Sequence, residues 1–346
     1  MKNKILSDGK DLHKLGLLLV EAFLLILPFS LALLWYMRKD PFMVLRHYSD
    51  YDHSEVFQNE GTMSWYKYKL CRNKMHYDSF LMGNSCTKAF MSKDWNRYIH
   101  GMPFRLFNNA EGVADLYYKL AALDAQKNQP INNLLIIADR NLLRSGNIKT
   151  GFMHVMQPEV SHVSEASYQF CFIQGFFSSK FTLPYLDYSI FHVYRKSFMD
   201  GIINPYGIAH VGVHNDAFNP KEMDIKHEKE KFWHSADWQK IFNMHYVFQK
   251  DPPYIGKLQQ YYLMKIKEIC IRHHTKVKLV ISPSLNLRMM NEKDISILDG
   301  IFGKENVFDY SRKNVISDNY HNFFDLVHYR PCAGRRMLKY IYRPVS

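Results

Sequence analysis

Cysteine is scarce in this chain and widely spread. The five cysteines, Cys71, Cys86, Cys171, Cys270 and Cys332, are odd in number and form no C-x-x-C pair. That pattern excludes a zinc ribbon and a thioredoxin-type redox site. It does not describe a disulfide framework, and a chain of 346 residues can bury a substantial core without one. Histidine is plentiful, yet no H-E-x-x-H occurs. The adjacent pair His273-His274 is a poor spacing for one metal on a helix, and His162, His210, His214 and His321 add no pattern. No metal site and no cofactor are expected. A phosphate loop is also missing, because Gly83-Asn84-Ser85-Cys86-Thr87 lacks the lysine such a loop needs. The formal net charge is +12, but the basic residues are scattered, with small clusters at 226–231 and at the C-terminus. This excludes a dedicated nucleic-acid stripe. It fits either an anionic membrane surface or polymer, or a generally basic exterior.

One long apolar run is present, at residues 15–37. As a helix it reaches about 35 Å, enough to cross a hydrocarbon core of about 30 Å. Trp35 and Tyr36 stand where an interfacial anchor belongs. Glu21 costs about 2.5–3.5 kcal/mol at the centre of a span, which the many Leu, Phe and Ile residues offset. It lies near the headgroups or against a partner helix. The run is long and ends in Trp-Tyr-Met-Arg-Lys-Asp. An uncleaved anchor is therefore expected rather than a signal peptide. Lys2, Lys4, Lys10 and Lys14 favour a cytoplasmic N-terminus with the remainder outside, whereas Arg38, Lys39 and Arg46 flank the far side. The expected organisation is a tail at 1–14, a transmembrane helix at 15–37 and a juxtamembrane segment at 38–77. An α/β domain follows at 78–346, with an insertion at about 142–256.

In that domain, apolar stretches alternate with helical patterns. Strands are expected at 80–82, 103–108, 133–138, 277–281 and 306–309. Helices are expected at 113–127, 257–274, 294–302 and 332–342, with another starting near Lys88. Leu116, Leu120 and Leu123 recur at helical spacing. Asn133-Leu134-Leu135-Ile136-Ile137-Ala138 suits a strand buried on both faces. The alternation implies a mostly parallel sheet covered on both sides, with its sites at the carboxyl ends of the strands. Residues 142–256 are aromatic and broken by Gly201, Pro205, Gly207, Pro220, Pro252 and Pro253. A stretch of that length must carry its own structure, as a substrate-binding cap or a partner surface.

Polar residues collect at the expected strand ends. Ser85 follows the first strand after Gly83, Asn109 and Gly112 follow the second, and Asn141 follows the third. Asp325 and His328 form a D-x-x-H near the C-terminus. A serine hydroxyl needs a base to become a nucleophile, and an imidazole needs a carboxylate to orient it. Ser85, His328 and Asp325 supply these three roles, and Cys86 is the rival nucleophile.

Gly-x-Ser after the first core strand, with D-x-x-H near the C-terminus, resembles the SGNH (GDSL-like) hydrolase superfamily. The nearest likeness is to its membrane-anchored branch, which includes acyl-transfer proteins that modify cell-surface polymers. The resemblance covers two short motifs and the strand order around them, over residues 78–340. It implies a three-layer, mostly parallel flavodoxin-like sheet with a large insertion, preceded by one transmembrane helix. It places Ser85, not Cys86, at the nucleophile position. The backbone N–H groups of Ser85 and Gly112 become oxyanion donors. The family's Gly-x-Asn-Asp motif is absent here, so Asn141 or Asn109 must substitute for its asparagine, and Gly-Asp-Ser stands as Gly-Asn-Ser. The implied function is movement or removal of an O-acyl group, such as acetyl, on a cell-envelope polysaccharide or related polymer. The implied partners are the bilayer, a membrane acyl-donor protein and the glycan or polymer substrate, with no nucleic acid. Two rivals stand beside it: hydrolysis of a lipid or glycan ester, and a non-catalytic scaffold that kept the fold.

Overall fold

The computed structural model describes residues 2–244 and 248–343, with side chains from residue 13 onward. The chain divides into two compact units, one ending at Tyr48 and the other beginning at Ser49.

Helix α1, Lys2–Lys39, dominates the first unit. It takes in Lys2 to Lys14, expected as a tail, because a helix propagates cheaply once an apolar run has formed it. Met1 lies outside the described residues. The stretch His13–Lys39 is long and apolar enough to cross a membrane. Arg46 closes the helix by donating from Nη2 to the carbonyls of Met37 (3.0 Å) and Arg38 (2.6 Å). Asp40 follows with φ of 44°, and its carboxylate accepts the N–H groups of Val44 and Leu45, each at 3.0 Å.

The second unit is built on strands β1 (Ser79–Gly83), β2 (Pro103–Phe107), β3 (Asn133–Ala138), β4 (Lys276–Ile281) and β5 (Val307–Asp309). They form one sheet in the order β2-β1-β3-β4-β5, and every pairing is parallel. The helices are α2 (Glu60–Met75), α3 (Ser92–Ile99), α4 (Val113–Asp124), α5 (Lys257–Arg272), α6 (Glu292–Phe302) and α7 (Pro331–Ile341). Side chains alternate along each strand, so successive residues enter different layers. Phe80, Met82, Leu134, Ile136 and Leu279 pack with Leu120 of α4, Leu263 of α5 and Leu298 of α6. Leu81, Leu135, Ile137 and Val280 pack on the other side with Trp95 of α3 and Met337 of α7. Strands β1, β2 and β3 are buried along their whole length because neither face meets water, whereas β4 starts at the exposed Lys276 and the edge strand β5 is half-buried.

Two segments differ from expectation. Residues 38–77 have no clear apolar period, yet they contain the sixteen-residue helix α2. Its Met63, Trp65, Lys67 and Tyr68 are all buried. Burial on several sides erases the one-sided stripe that periodicity detects. After β1, the helix expected from Lys88 is instead a 3-10 turn, Ser85–Ala89, and α3 begins only at Ser92. The described residues of 142–256 add no strand to the sheet. They form short helices, among them Glu165–Phe176, Ser179–Phe191 and Pro220–Glu228, and a small antiparallel ladder of His210–Val211 with Asp216–Ala217.

Two close approaches hold the β1 end in place. Gly83 has φ of 138°, and a Cβ there would lie 2.0 Å from the Ile137 carbonyl oxygen. A Cβ on Gly334 of α7 would lie 2.0 Å from the Ala89 carbonyl oxygen. Replacing Gly334 with alanine forces α7 off the turn that carries Ser85. We expect Gly334→Ala to lose about 1–3 kcal/mol of stability. Chemical denaturation of the full chain measures this, and an unchanged midpoint contradicts the packing described.

Candidate active site

Ser85 is set by its own short turn. The Asn84 side chain accepts the Cys86 N–H at 3.1 Å, and the Asn84 carbonyl accepts the Thr87 N–H (3.0 Å) and hydroxyl (2.8 Å). These bonds stop β1 and start the 3-10 turn, with Cys86, Thr87 and Ala89 buried beneath it. Ser85 is half-buried. Its neighbour Cys86 points inward, with Sγ 3.8 Å from the Val327 carbonyl oxygen, and burial pushes its thiol pKa well up. A buried, protonated thiol does not compete as a nucleophile.

The D-x-x-H stretch forms a tight loop before α7. The Phe324 N–H donates to the His328 carbonyl at 2.8 Å. Asp325 Oδ1 accepts the N–H groups of Val327 (3.0 Å) and His328 (2.9 Å). Arg330 braces the loop from beneath. It donates from Nε (2.7 Å) and Nη2 (3.1 Å) to Glu222, and from Nη1 to the His321 carbonyl (2.9 Å).

These two loops, 243 residues apart in sequence, meet at a hydrogen bond of 2.8 Å between Ser85 Oγ and His328 Nε2. His328 Nδ1 lies 3.0 and 2.9 Å from the two Asp325 oxygens. A carboxylate at Nδ1 holds the proton there and leaves Nε2 to accept from the serine hydroxyl. Burial alone would raise the Asp325 pKa. The hydrogen bonds and charge of His328, with the two backbone N–H groups, hold it well below the usual carboxylate range. Lys221 Nζ approaches Asp325 at 3.4 Å, with both side chains partly exposed.

The other expected site residues are divided. Asn109 lines the cleft that holds Ser85 and His328. Its backbone is pinned, since its N–H donates to Asn108 Oδ1 (2.8 Å) and its carbonyl accepts from His154 (2.9 Å). Its side chain makes no hydrogen bond among the described residues, and neither does the Ser85 N–H. Gly112 does not reach the site. Its N–H donates to Asp115 at 2.9 Å, as the first residue before α4 must. Asn141 lies in the short helix Arg140–Arg144 and lines a separate, smaller pocket with Arg140 and Asp251. Asp139, which caps that helix through the Leu142 N–H (2.8 Å), stands near Asn84 and His328. Burial raises its pKa, opposed by a hydrogen bond from Asn84 and the charge of His328.

The cleft measures about 450 Å³. Phe57 and Glu60 line it ahead of the sheet, and Met153, Asn204, Tyr206 and Phe218 line it from the insertion. Glu60 pairs with Lys88 at 3.1 Å and with His210. Burial acts to raise the Glu60 pKa, but Lys88, His210 and Arg105 outweigh it and keep the carboxylate ionised. No spacing in the sequence marks Glu60, Lys88 and His210 as neighbours. Among the described residues, no group of three or more His, Cys, Asp or Glu could hold a metal ion. No protein-family model matches the chain, and no curated protein matches it.

Asp325 has a depressed folded pKa. Its contribution to stability is present above the ordinary carboxylate value of 3.8 and is lost as pH falls through the folded value. Asp325→Asn should therefore be less stable than wild type at neutral pH. The gap should close as the pH drops below about 4. Urea midpoints across pH test this, and a gap that widens in acid contradicts it.

Proposed function

We propose that this chain is a membrane-anchored, SGNH-like serine acyltransferase or esterase. It acts on O-acyl groups, such as acetyl, of a cell-envelope polysaccharide or related polymer. The observation that carries this reading is the continuous hydrogen-bonded series from Ser85 Oγ through His328 to Asp325. The strand order, with Ser85 after β1 and Asp139 after β3, supports it. In doubly wound sheets, sites form at the carboxyl edge where the strand order reverses. The span in α1 supports an anchor, with the second unit outside the cytoplasm, where a membrane acyl-donor protein would be its partner.

As Ser85 Oγ attacks the acyl carbonyl, its proton passes to His328 Nε2. Asp325 fixes the ring and stabilises the imidazolium. The negative oxygen of the tetrahedral intermediate needs donors. The Ser85 N–H and the Asn109 side chain are assigned this role, and Gly112 and Asn141 are not. Collapse of the intermediate returns the proton to the leaving alcohol and leaves the acyl group on Ser85. A glycan hydroxyl or water, deprotonated by His328, then accepts the acyl group. The engaged Gly112 N–H and the missing Gly-x-Asn-Asp motif favour a second reading, a scaffold that binds polymer without turnover.

A serine-reactive fluorophosphonate probe separates the two. Wild type and Cys86→Ala should label, while Ser85→Ala and His328→Ala should lose labelling by about a thousandfold or more. Folded wild type that never labels, or Ser85→Ala that labels equally, makes the scaffold reading the better one. Asn109→Ala should slow phosphonylation about a hundredfold while leaving its final extent unchanged. An unchanged rate removes Asn109 from the oxyanion site. Products formed with and without a glycan acceptor then distinguish transfer from hydrolysis.

A further inference from the structure

The insertion contains an apolar surface that the acyl-transfer chemistry does not use. Helices Glu165–Phe176 and Ser179–Phe191 lie consecutively in the chain, and a short helix, Lys196–Met199, follows. Their inner faces bury Tyr168, Phe172, Phe176, Phe181 and Tyr185. The outer face of the second of them, Ser179–Phe191, is apolar as well. Leu183, Leu186 and Ile190 recur at helical spacing and stand 54%, 41% and 59% exposed. Phe191 at the helix end, with Val193 and Phe198 beyond it, extends the exposed surface. Solvated helices ordinarily carry charge on their outer face, and a contiguous apolar surface of this kind marks an interaction site.

The surroundings favour a lipid surface as its occupant. Lys180, Arg195 and Lys196 are exposed beside the apolar residues. Arg195 pairs with Asp187 and stacks its guanidinium 5.4 Å from the Phe191 ring. Apolar and aromatic side chains bordered by cations are the composition of a helix lying in the headgroup–acyl boundary, where cations meet anionic headgroups. The same chain carries a helix able to cross a bilayer, so lipid is at hand. The chain leaves this surface directly into the cleft wall, where Gly201, Asn204 and Tyr206 are lining residues.

We propose that the outer face of residues 183–198 inserts into the bilayer surface and holds the mouth of the Ser85 cleft at the headgroup level. This rests on the anchored reading of α1. An acyl group or acceptor borne on a membrane component then reaches Ser85 without leaving the interface.

The test uses the full chain in vesicles of phosphatidylcholine and phosphatidylglycerol that contain a diazirine-bearing phospholipid. After photolysis, lipid adducts are mapped by mass spectrometry. We expect adducts in α1 and also within residues 183–198. In Leu186→Glu/Ile190→Glu, adducts on the second segment should fall about tenfold while those on α1 persist. Adducts on α1 alone overturn the surface proposal and leave the anchor standing. Adducts on neither segment overturn both. In a parallel sample with a diazirine-bearing leucine analogue at position 190, chain-to-chain cross-links in place of lipid adducts overturn it in favour of a second copy. The wild-type map decides the matter even if the variant does not fold.

Discussion

Strand β1 runs so close to β3 that no side chain fits at residue 83. The Ile137 carbonyl oxygen occupies the space a Cβ would need. Only glycine allows that approach together with a φ of 138°. The chain must therefore turn sharply at the carboxyl edge of the sheet. Asn84 completes the turn, and Ser85 is left on its upper side with Cys86 and Thr87 underneath. This geometry separates the neighbouring serine and cysteine. One faces the cleft, and the other is sealed beneath it.

The opposite half of the site depends on a different kind of order. Among the described residues, the loop at 320–330 has no ladder to hold it beyond the single bridge of Phe323 with Tyr329. It is kept in place by the burial of Phe323, Phe324 and Tyr329 in the core and by polar bonds, among them those of Arg330 to Glu222 and of Asp325 to the backbone that follows it. Glu222 belongs to the insertion, so the insertion supports the His328 loop as well as walling the cleft. This gives residues 142–256 a structural reason to exist beside the site.

Much of the α/β scaffold was legible in the sequence. Strands buried on both faces read as continuous apolar runs, and β3 was readable to the residue. Helix α4 announced itself through Leu116, Leu120 and Leu123. Helix α2 did not, because a helix enclosed on several sides loses its stripe. The turn after β1 misled in a different way. Lys88 to Met91 looks like the opening of a helix, but the side-chain bonds of Asn84 and Thr87 tighten the chain into a 3-10 turn first. Gly112 was a reasonable donor by position and failed on bookkeeping. Its N–H is one of the orphan donors at the start of α4, and Asp115 takes it.

By itself, the sequence determined the alternating strands and helices and the apolar span, and it singled out Ser85, Asp325 and His328 as candidates for one site. These are local properties, set by burial period and residue type. Only the tertiary structure decided that Ser85 and His328 meet, that Asn109 reaches the cleft while Gly112 and Asn141 do not, and that Glu60 and Lys88 pair in its wall, with His210 bonded to Glu60 behind them. Those outcomes depend on parallel pairing between distant segments. A contact between residues 243 positions apart leaves no trace in the spacing of either one.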